Sequence, residues 1–481
     1  MILALYDCRS KQEYIYRTNK IKEISGGSKL LSNVYQRFID KAQEKDISFR
    51  NNGDWTAGRF SLKDLERSDN SAEVVYIGGG NLMIIYKNKD TYITANKIFS
   101  KILLEETWTI SAIVSCTEVT GDFNNDRQKL YAQNALKKNT GYISEPCSVL
   151  PFTQVDMLTY MPICKKDKIS QQSLSRESIC KLNAYEEMLT NKTPTTIYLD
   201  DIVFKKGSDS ILAVIYIDGN NMGAKLKNSL GNSLDYDKCI NSLREFSIKT
   251  NNDFVEQPIE EIEKMLSEMQ NKHIEYAKYR KVIAGGDEIT LICNAHIVPE
   301  ILNTYFKTLD SENSNNYACA GVALFHSHAP FSEVYKIAEQ CCENGKKCSR
   351  EYGSNANFVD FHFCRAGITN DMDIVREKQE SGLTARPYRV DGEHNGFSFE
   401  KFLSLAKELK NIGRSNIKDL SVSIIKGESY YRFEIERINS HFGMDIDPKD
   451  EKTRKMIFDI AQVYDLWFSN DTNKTDQSEG E

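Results

Sequence analysis

Lys281-Val282-Ile283-Ala284-Gly285-Gly286-Asp287-Glu288-Ile289-Thr290-Leu291-Ile292-Cys293 reads as two short strands joined by a glycine turn that carries two acids. The apolar runs are strand material, and glycine supplies the tight reversal between them. The same glycines, Gly285 and Gly286, let a nucleotide approach the backbone closely. Asp287 and Glu288 are hard oxygen ligands of the kind that hold Mg²⁺ together with phosphates. Taken alone the pattern is common, because acids in turns are usually just solvated. Its weight comes from what surrounds it.

Upstream, Ile211-Leu212-Ala213-Val214-Ile215-Tyr216-Ile217 is a continuous apolar run, the mark of a strand buried on both faces. It ends at Asp218-Gly219-Asn220-Asn221-Met222-Gly223. Gly219, Asn220, Asn221 and Gly223 open a loop whose backbone N–H groups suit a phosphate at the start of the next helix. From Ile211 the pattern runs strand, helix, strand, turn, strand, helix, strand, helix. The later elements are predicted as a helix over 296–309, a strand over 317–325 and a helix over 331–350. That order is a split βαββαβ unit, the ferredoxin-like or palm arrangement. Its first and third strands are antiparallel neighbours, so the turn acids are expected beside the end of the first strand. Asp218 and Asp287 are thereby expected to meet, with Glu288 next to them, and such carboxylates suit the metals of an in-line phosphoryl displacement.

The pattern occurs twice. Residues 1–6 form an apolar strand ending at Asp7, and Glu73-Val74-Val75-Tyr76-Ile77 leads through Gly78-Gly79-Gly80-Asn81 into Leu82-Met83-Ile84-Ile85-Tyr86. A helix over 95–106, a strand over 108–116 and a helix over 126–138 are predicted next. Tyr76-Ile77-Gly78-Gly79-Gly80-Asn81 aligns with Ile283-Ala284-Gly285-Gly286-Asp287-Glu288. Gly80 and Asn81 stand where the acids stand. The first copy is expected to keep the fold and to lack the metal-binding turn.

The chain's 481 residues allow two to four domains. A net charge of −7 argues against a protein that wraps nucleic acid by charge alone. No apolar stretch is long enough to span a bilayer, and the first residues do not read as a signal leader, so the expected location is the cytoplasm. No two of the 12 cysteines are spaced C-x-x-C, so a zinc ribbon is not indicated. Cys341, Cys342 and Cys348 share one helical stretch and read as packing residues. His326 and His328 read as a strand end.

The fold class is therefore α+β, with two ferredoxin-like palm domains in tandem and a small C-terminal helical domain. The expected divisions are a first palm over 1–160, a helical connector over 161–210, a second palm over 211–366, helices over 367–468 and a disordered tail over 469–481. A charged helical insertion over 234–279 separates the first two strands of the second palm. Lys346, on the helix after the fourth strand, is placed to reach a triphosphate. Gly26-Gly27-Ser28, which follows the basic residues Arg17, Lys20 and Lys22, reads as a helix N-cap. Asp360 and His362 share a strand face and read as structural.

Together, 12–28, Asp218-Gly-Asn-Asn-Met-Gly223, Gly285-Gly-Asp-Glu288 and Phe358-Val-Asp-Phe-His362 make the chain resemble a known family. It is similar to the large polymerase-like subunit of type III CRISPR effector complexes and its stand-alone relatives, and more distantly to GGDEF diguanylate cyclases. The resemblance implies a nucleotidyltransferase that uses Mg²⁺ (or Mn²⁺) to convert ATP into cyclic or linear oligoadenylate messengers of antiviral defence. It carries metal-binding and catalytic roles onto Asp218, Asp287 and Glu288, and a triphosphate contact onto Lys346. The partners it implies are nucleoside triphosphates, an RNA-guided effector complex or a second copy of the chain, and an effector that the messenger activates, with no membrane.

There are departures from the family pattern. Glu288 replaces the family's second aspartate, and Asn220 stands where many relatives have an aspartate, which is expected to weaken one metal site. The nuclease's histidine–aspartate pair and the zinc-binding cysteines of some members are absent, which favours a lean stand-alone enzyme. Two alternatives stay open: a non-catalytic palm protein that binds nucleotide or an RNA complex, and a GGDEF-like cyclase that uses GTP.

Overall fold

The computed structural model describes residues 1–18, 20–140, 149–166, 172–190, 202–204, 210–231, 233–310, 315–364, 372–380 and 382–468. The expected tail over 469–481 and parts of the connector over 161–210 lie outside these. The fold is mixed α+β. Its contacts divide into two compact units, one of Met1–Thr196, Asn221–Val255 and Val282–Asp287, the other of Ile197–Asn220, Glu256–Lys281 and Glu288–Glu481.

In the first unit β1 (Ile2–Cys8), β2 (Ala72–Gly78), β3 (Asn81–Tyr86) and β4 (Ala112–Glu118) form a sheet in the order β2-β3-β1-β4. Successive side chains of β1 point to opposite faces, and both faces are buried. Ala4, Tyr6 and Cys8 pack with Phe38 and Phe99, from the helices Ile21–Gln43 and Lys89–Ile102. Leu3 and Leu5 pack with Phe123 and Leu130 of the helix Phe123–Asn139, and with Tyr236, Ile240 and Leu243. A small hairpin, β5 (Ile163–Lys166) with β6 (Ser173–Ser175), also belongs to this unit.

Those last three core residues lie on the helix Tyr236–Asn251. The sequence between β-strands 211–219 and 279–285 thus supplies a helix to the core of the first sheet. Arg244 fixes it there, donating to the Val74 and Val75 carbonyls at 2.7 and 2.9 Å and to Glu73 at 3.1 Å. Gly26-Gly27-Ser28 does not cap a helix; it lies within the helix Ile21–Gln43. A Cβ at Gly26 would overlap the Lys181 carbonyl, so glycine is there to let the helix Arg176–Thr190 come close.

In the second unit β7 (Ile211–Gly219), β8 (Tyr279–Gly285), β9 (Glu288–Asn294), β10 (Ala318–His326), β11 (Phe358–Phe363) and β12 (Tyr388–Arg389) form a sheet in the order β12-β11-β10-β7-β9-β8. The end of β8, from Val282, is counted with the first unit. The order β10-β7-β9-β8 repeats β4-β1-β3-β2, so the duplicated sequence pattern has a duplicated strand order.

The helix Phe331–Arg350 lies on this sheet at unusually short range because of two glycines. A Cβ at Gly321 of β10 would overlap the Ala338 carbonyl oxygen, and one at Gly345 of the helix would sit 3.3 Å from Cys319 Cβ. Beyond β11, a buried network ties the sheet to the C-terminal helices. Arg376 grips Asp360 with two hydrogen bonds of 2.7 and 2.9 Å. Arg386 pairs with Glu380 at 2.6 Å and with Asp459 of the helix Glu451–Trp467 at 3.1 Å, and the Tyr388 hydroxyl donates to Asp459 at 2.7 Å. Asp360 is thus structural.

Candidate active site

β7 carries the chain's continuous apolar run to the centre of its sheet, and its polar end is where chemistry becomes available. There Asp218 stands directly opposite Glu288 of β9 and, on its other side, opposite Cys319 of β10. Directly opposed residues of antiparallel strands share a face and lie within side-chain reach of one another. Two carboxylates are therefore juxtaposed by register. Tyr216, two residues back on the same face, stacks edge-on against Tyr335 at 5.6 Å. Burial pushes its hydroxyl well above the usual phenol range, and the Glu288 and Asp218 charges push it further.

The positive partner comes from the helix above. Lys346 follows Gly345, the residue that allows the close approach to Cys319. Its ammonium hydrogen-bonds Asp218 Oδ2 and donates to the Gly219 carbonyl at 3.1 Å. Burial alone would lower the affinity of this amine for its proton. The Asp218 carboxylate outweighs that and holds it above the ordinary lysine value.

Asn220, one residue past the strand end, faces the interior. Its side-chain amide donates to Ser349 Oγ and to the Ala356 carbonyl, both at 3.0 Å, and its backbone N–H donates to the Tyr317 carbonyl at 2.7 Å. The side chain is 2% exposed. It ties the loop to the far end of the Phe331–Arg350 helix and is committed there rather than turned toward a ligand.

The remaining predicted residues fall in the first unit. Gly286 and Asp287 are the two turn residues between β8 and β9, and Gly286 has φ +69°, the conformation for which glycine is suited. Its N–H donates to Asn251 Oδ1 at 3.1 Å. Asp287 exerts its charge on Lys225, whose ammonium is lowered by burial and partly restored by that carboxylate. Asn221 begins the helix Met222–Leu230 in a left-handed conformation (φ 58°), and space is open beside both Gly223 and Gly285. The sequence reading passed over Tyr216, Lys225 and Asn251. Tyr216 was within reach, since it alternates with Asp218 on a predicted strand. Nothing local marks Asn251.

The first sheet repeats the arrangement with one change. Asp7, next to last in β1, stands opposite Asn81. Lys138, late on the helix that follows β4, pairs with Asp7 at 2.5 Å, and Asn134 donates to the same carboxylate at 2.8 Å. The duplication therefore extends to the lysine, and Asn81 takes the place of Glu288.

The donors of the second site fit a hard divalent cation. The two carboxylates and the Gly219 carbonyl are all oxygen ligands, and the Lys346 ammonium shows that Asp218 and that carbonyl converge on positive charge.

Residues 211–355 match the model of the Cas10/Cmr2 second palm domain. This segment is similar to a palm domain of the Cas10/Cmr2 type. The palm sheet and its site, β7 to β10 with the lysine-bearing helix, lie inside the matched residues. No curated protein matches the chain. Among solved structures, a chain of the Csm1–Csm4 cassette in complex with cA4 is similar over 97% of this chain and 69% of its own, at 12% identity and a TM-score of 0.52. The same cassette in complex with pppApA gives 13% identity, 97% and 68% coverage and a TM-score of 0.52. With AMPPNP the figures are 13%, 97%, 69% and 0.52. At such identities the likeness is one of fold. It extends well beyond the palm segment that the family model covers. Among the described residues no helix is long and apolar enough to cross a membrane.

Proposed function

We propose that the chain is a palm-type nucleotidyltransferase that joins ATP into cyclic or linear oligoadenylate, and that it works in a type III CRISPR defence system. Its two duplicated sheets are read as tandem palm modules, the second catalytic and the first without the metal-binding acid. The observation that carries the proposal is the cross-strand pair Asp218–Glu288, with Lys346 at its side, at a strand end of a Cas10/Cmr2-type palm. The adenine nucleotides held by the similar cassettes support adenosine as the base.

Asp218 and Glu288 would hold Mg²⁺ or Mn²⁺, which supplies charge neutralisation of the triphosphate and an activated 3′-hydroxyl when bound. The chain's own part is positioning. Asp218 and Glu288 are fixed by strand register, so no reorganisation is needed when charge develops at the α-phosphate. Lys346 can leave Asp218 for a phosphate oxygen without leaving the sheet face, because Gly345 and Gly321 keep its helix low. The open space beside Gly223 and Gly285 leaves room for a phosphate to meet backbone N–H groups.

The test is incubation of the purified chain with each of the four nucleoside triphosphates and Mg²⁺ or Mn²⁺, followed by mass spectrometry. ATP consumption with pyrophosphate release and an oligoadenylate product supports the proposal. Consumption of GTP alone, or of none, refutes it.

A further inference from the structure

A second cluster of ligating side chains lies at the other end of the Phe331–Arg350 helix from its entry, and the proposed transfer reaction has no use for it. Cys348 and Glu351 are three residues apart at the end of that helix, so they share a face. His394 comes to them from the loop that follows β12. The ligand atoms of the three residues all lie within 4.8 Å of one another, and Glu351 Oε2 is 3.9 Å from His394 Nδ1.

The histidine is rigidly presented. His394 and Phe397 exchange backbone hydrogen bonds of 2.8 and 2.9 Å around Asn395-Gly396. Both turn residues have positive φ, 55° and 85°, the two-residue turn that Asn-Gly favours. The imidazole ring packs edge-on against Phe358 at 5.4 Å and Tyr352 at 5.8 Å. Its Nδ1 is 3.0 Å from the Tyr352 hydroxyl and its Nε2 is 3.1 Å from the Asn395 side-chain amide. With the amide turned to present its oxygen, Asn395 would accept from Nε2–H, and a metal at Nδ1 would take the place of the Tyr352 hydroxyl there. This is the outer support that metal-bound histidines usually have.

The geometry points to a zinc-class divalent cation site made by Cys348, Glu351 and His394, with a fourth position open to water. A thiolate and an imidazole select such a cation over Mg²⁺. Tetrahedral zinc needs ligand atoms about 3.3–3.7 Å apart. Glu351, whose side chain is 65% exposed, can turn to close its part of that spacing. Occupied, the site would staple the end of the lysine-bearing helix to the Asn395-Gly396 turn. The inference rests on these residues alone and stands whether or not the chain transfers nucleotides.

The test is a Co²⁺ titration of the full chain purified free of metal, Co²⁺ reporting through its thiolate-to-metal charge-transfer band. One equivalent is expected to produce that band. Cys348→Ser should abolish it. His394→Gln and Glu351→Gln should each weaken binding at least tenfold; the exposed Glu351 can be changed without risk to folding. Asp218→Asn should leave the band intact. Absence of the band in the wild type, its persistence in Cys348→Ser, or unchanged affinity in Glu351→Gln would overturn the assignment.

Discussion

Asp218 and Glu288 face one another across β7 and β9, one residue next to last in its strand and the other first in its own. Like charges directly opposite in a sheet are destabilising, by some tenths of a kcal/mol. The Lys346 ammonium, bonded to Asp218, offsets the pair. Activity and stability should therefore respond in opposite senses. Asp218→Asn and Glu288→Gln are each expected to lower turnover by roughly 100-fold or more. Glu288→Gln should leave urea-unfolding stability unchanged or slightly raised. Turnover and unfolding curves on the same preparations check both halves.

Lys346→Met removes the counter-charge and should raise the KM for the triphosphate more than it lowers kcat. The ion pair also has a pH signature. A lysine whose folded pKa is raised gives stability that is fully present below its unfolded value, about 10.4, and is lost as pH rises through the folded one. The stability difference between wild type and Lys346→Met should accordingly be constant through neutral pH and shrink in the alkaline range.

Gly321→Ala should cost about 3 kcal/mol, since its Cβ would overlap the Ala338 carbonyl and the helix would have to lift. Gly285→Ala meets nothing within 4 Å and should change stability by less than about 0.5 kcal/mol. Thermal or urea unfolding distinguishes the two. Lifting the helix also carries Lys346 away from Asp218, so Gly321→Ala should lose activity even at temperatures where it stays folded.

Asn220→Asp restores the acid common in the related family, yet the expected effect is harmful. The asparagine side chain donates to Ser349 and Ala356, and a carboxylate cannot donate to either. A buried charge facing two acceptors should destabilise the protein by about 2–4 kcal/mol without raising turnover. A gain in activity would show instead that position 220 turns to the cation.

His362 gives an acid-side prediction. Burial lowers it from 6.5 to about 4, and the Arg376 and Arg386 charges add to that against the opposing Glu380 and Asp360. The unfolded chain binds the extra proton in this window, so the contribution is present above pH 6.5 and falls away toward pH 4. It amounts to about 3 kcal/mol at most. His362→Gln should flatten the stability profile between those pH values.

Much of this was legible in the sequence because the determinants are local. The helix Phe331–Arg350 was read to the residue, because its apolar spacing marks it. The duplicated strand order followed from Tyr76–Asn81 aligning with Ile283–Glu288, and the cross-strand registers Asp7–Asn81 and Asp218–Glu288 agree with that alignment. What could not be read depends on distant partners. Gly26 looked like a cap because nothing near it announces the Lys181 carbonyl. The helix Tyr236–Asn251 looked like a second-palm insertion, and its contacts with Leu3, Leu5 and Glu73 show which sheet it covers. Cys348 looked like packing because its companions lie partly across a loop, at His394.

The most direct test is Mn²⁺ binding, followed by electron paramagnetic resonance in the presence of a non-hydrolysable ATP analogue. The wild type should hold Mn²⁺, and Asp218→Asn and Glu288→Gln should each lose at least tenfold in affinity. Equal Mn²⁺ binding in all three proteins would contradict the claim that this carboxylate pair holds the reacting cation.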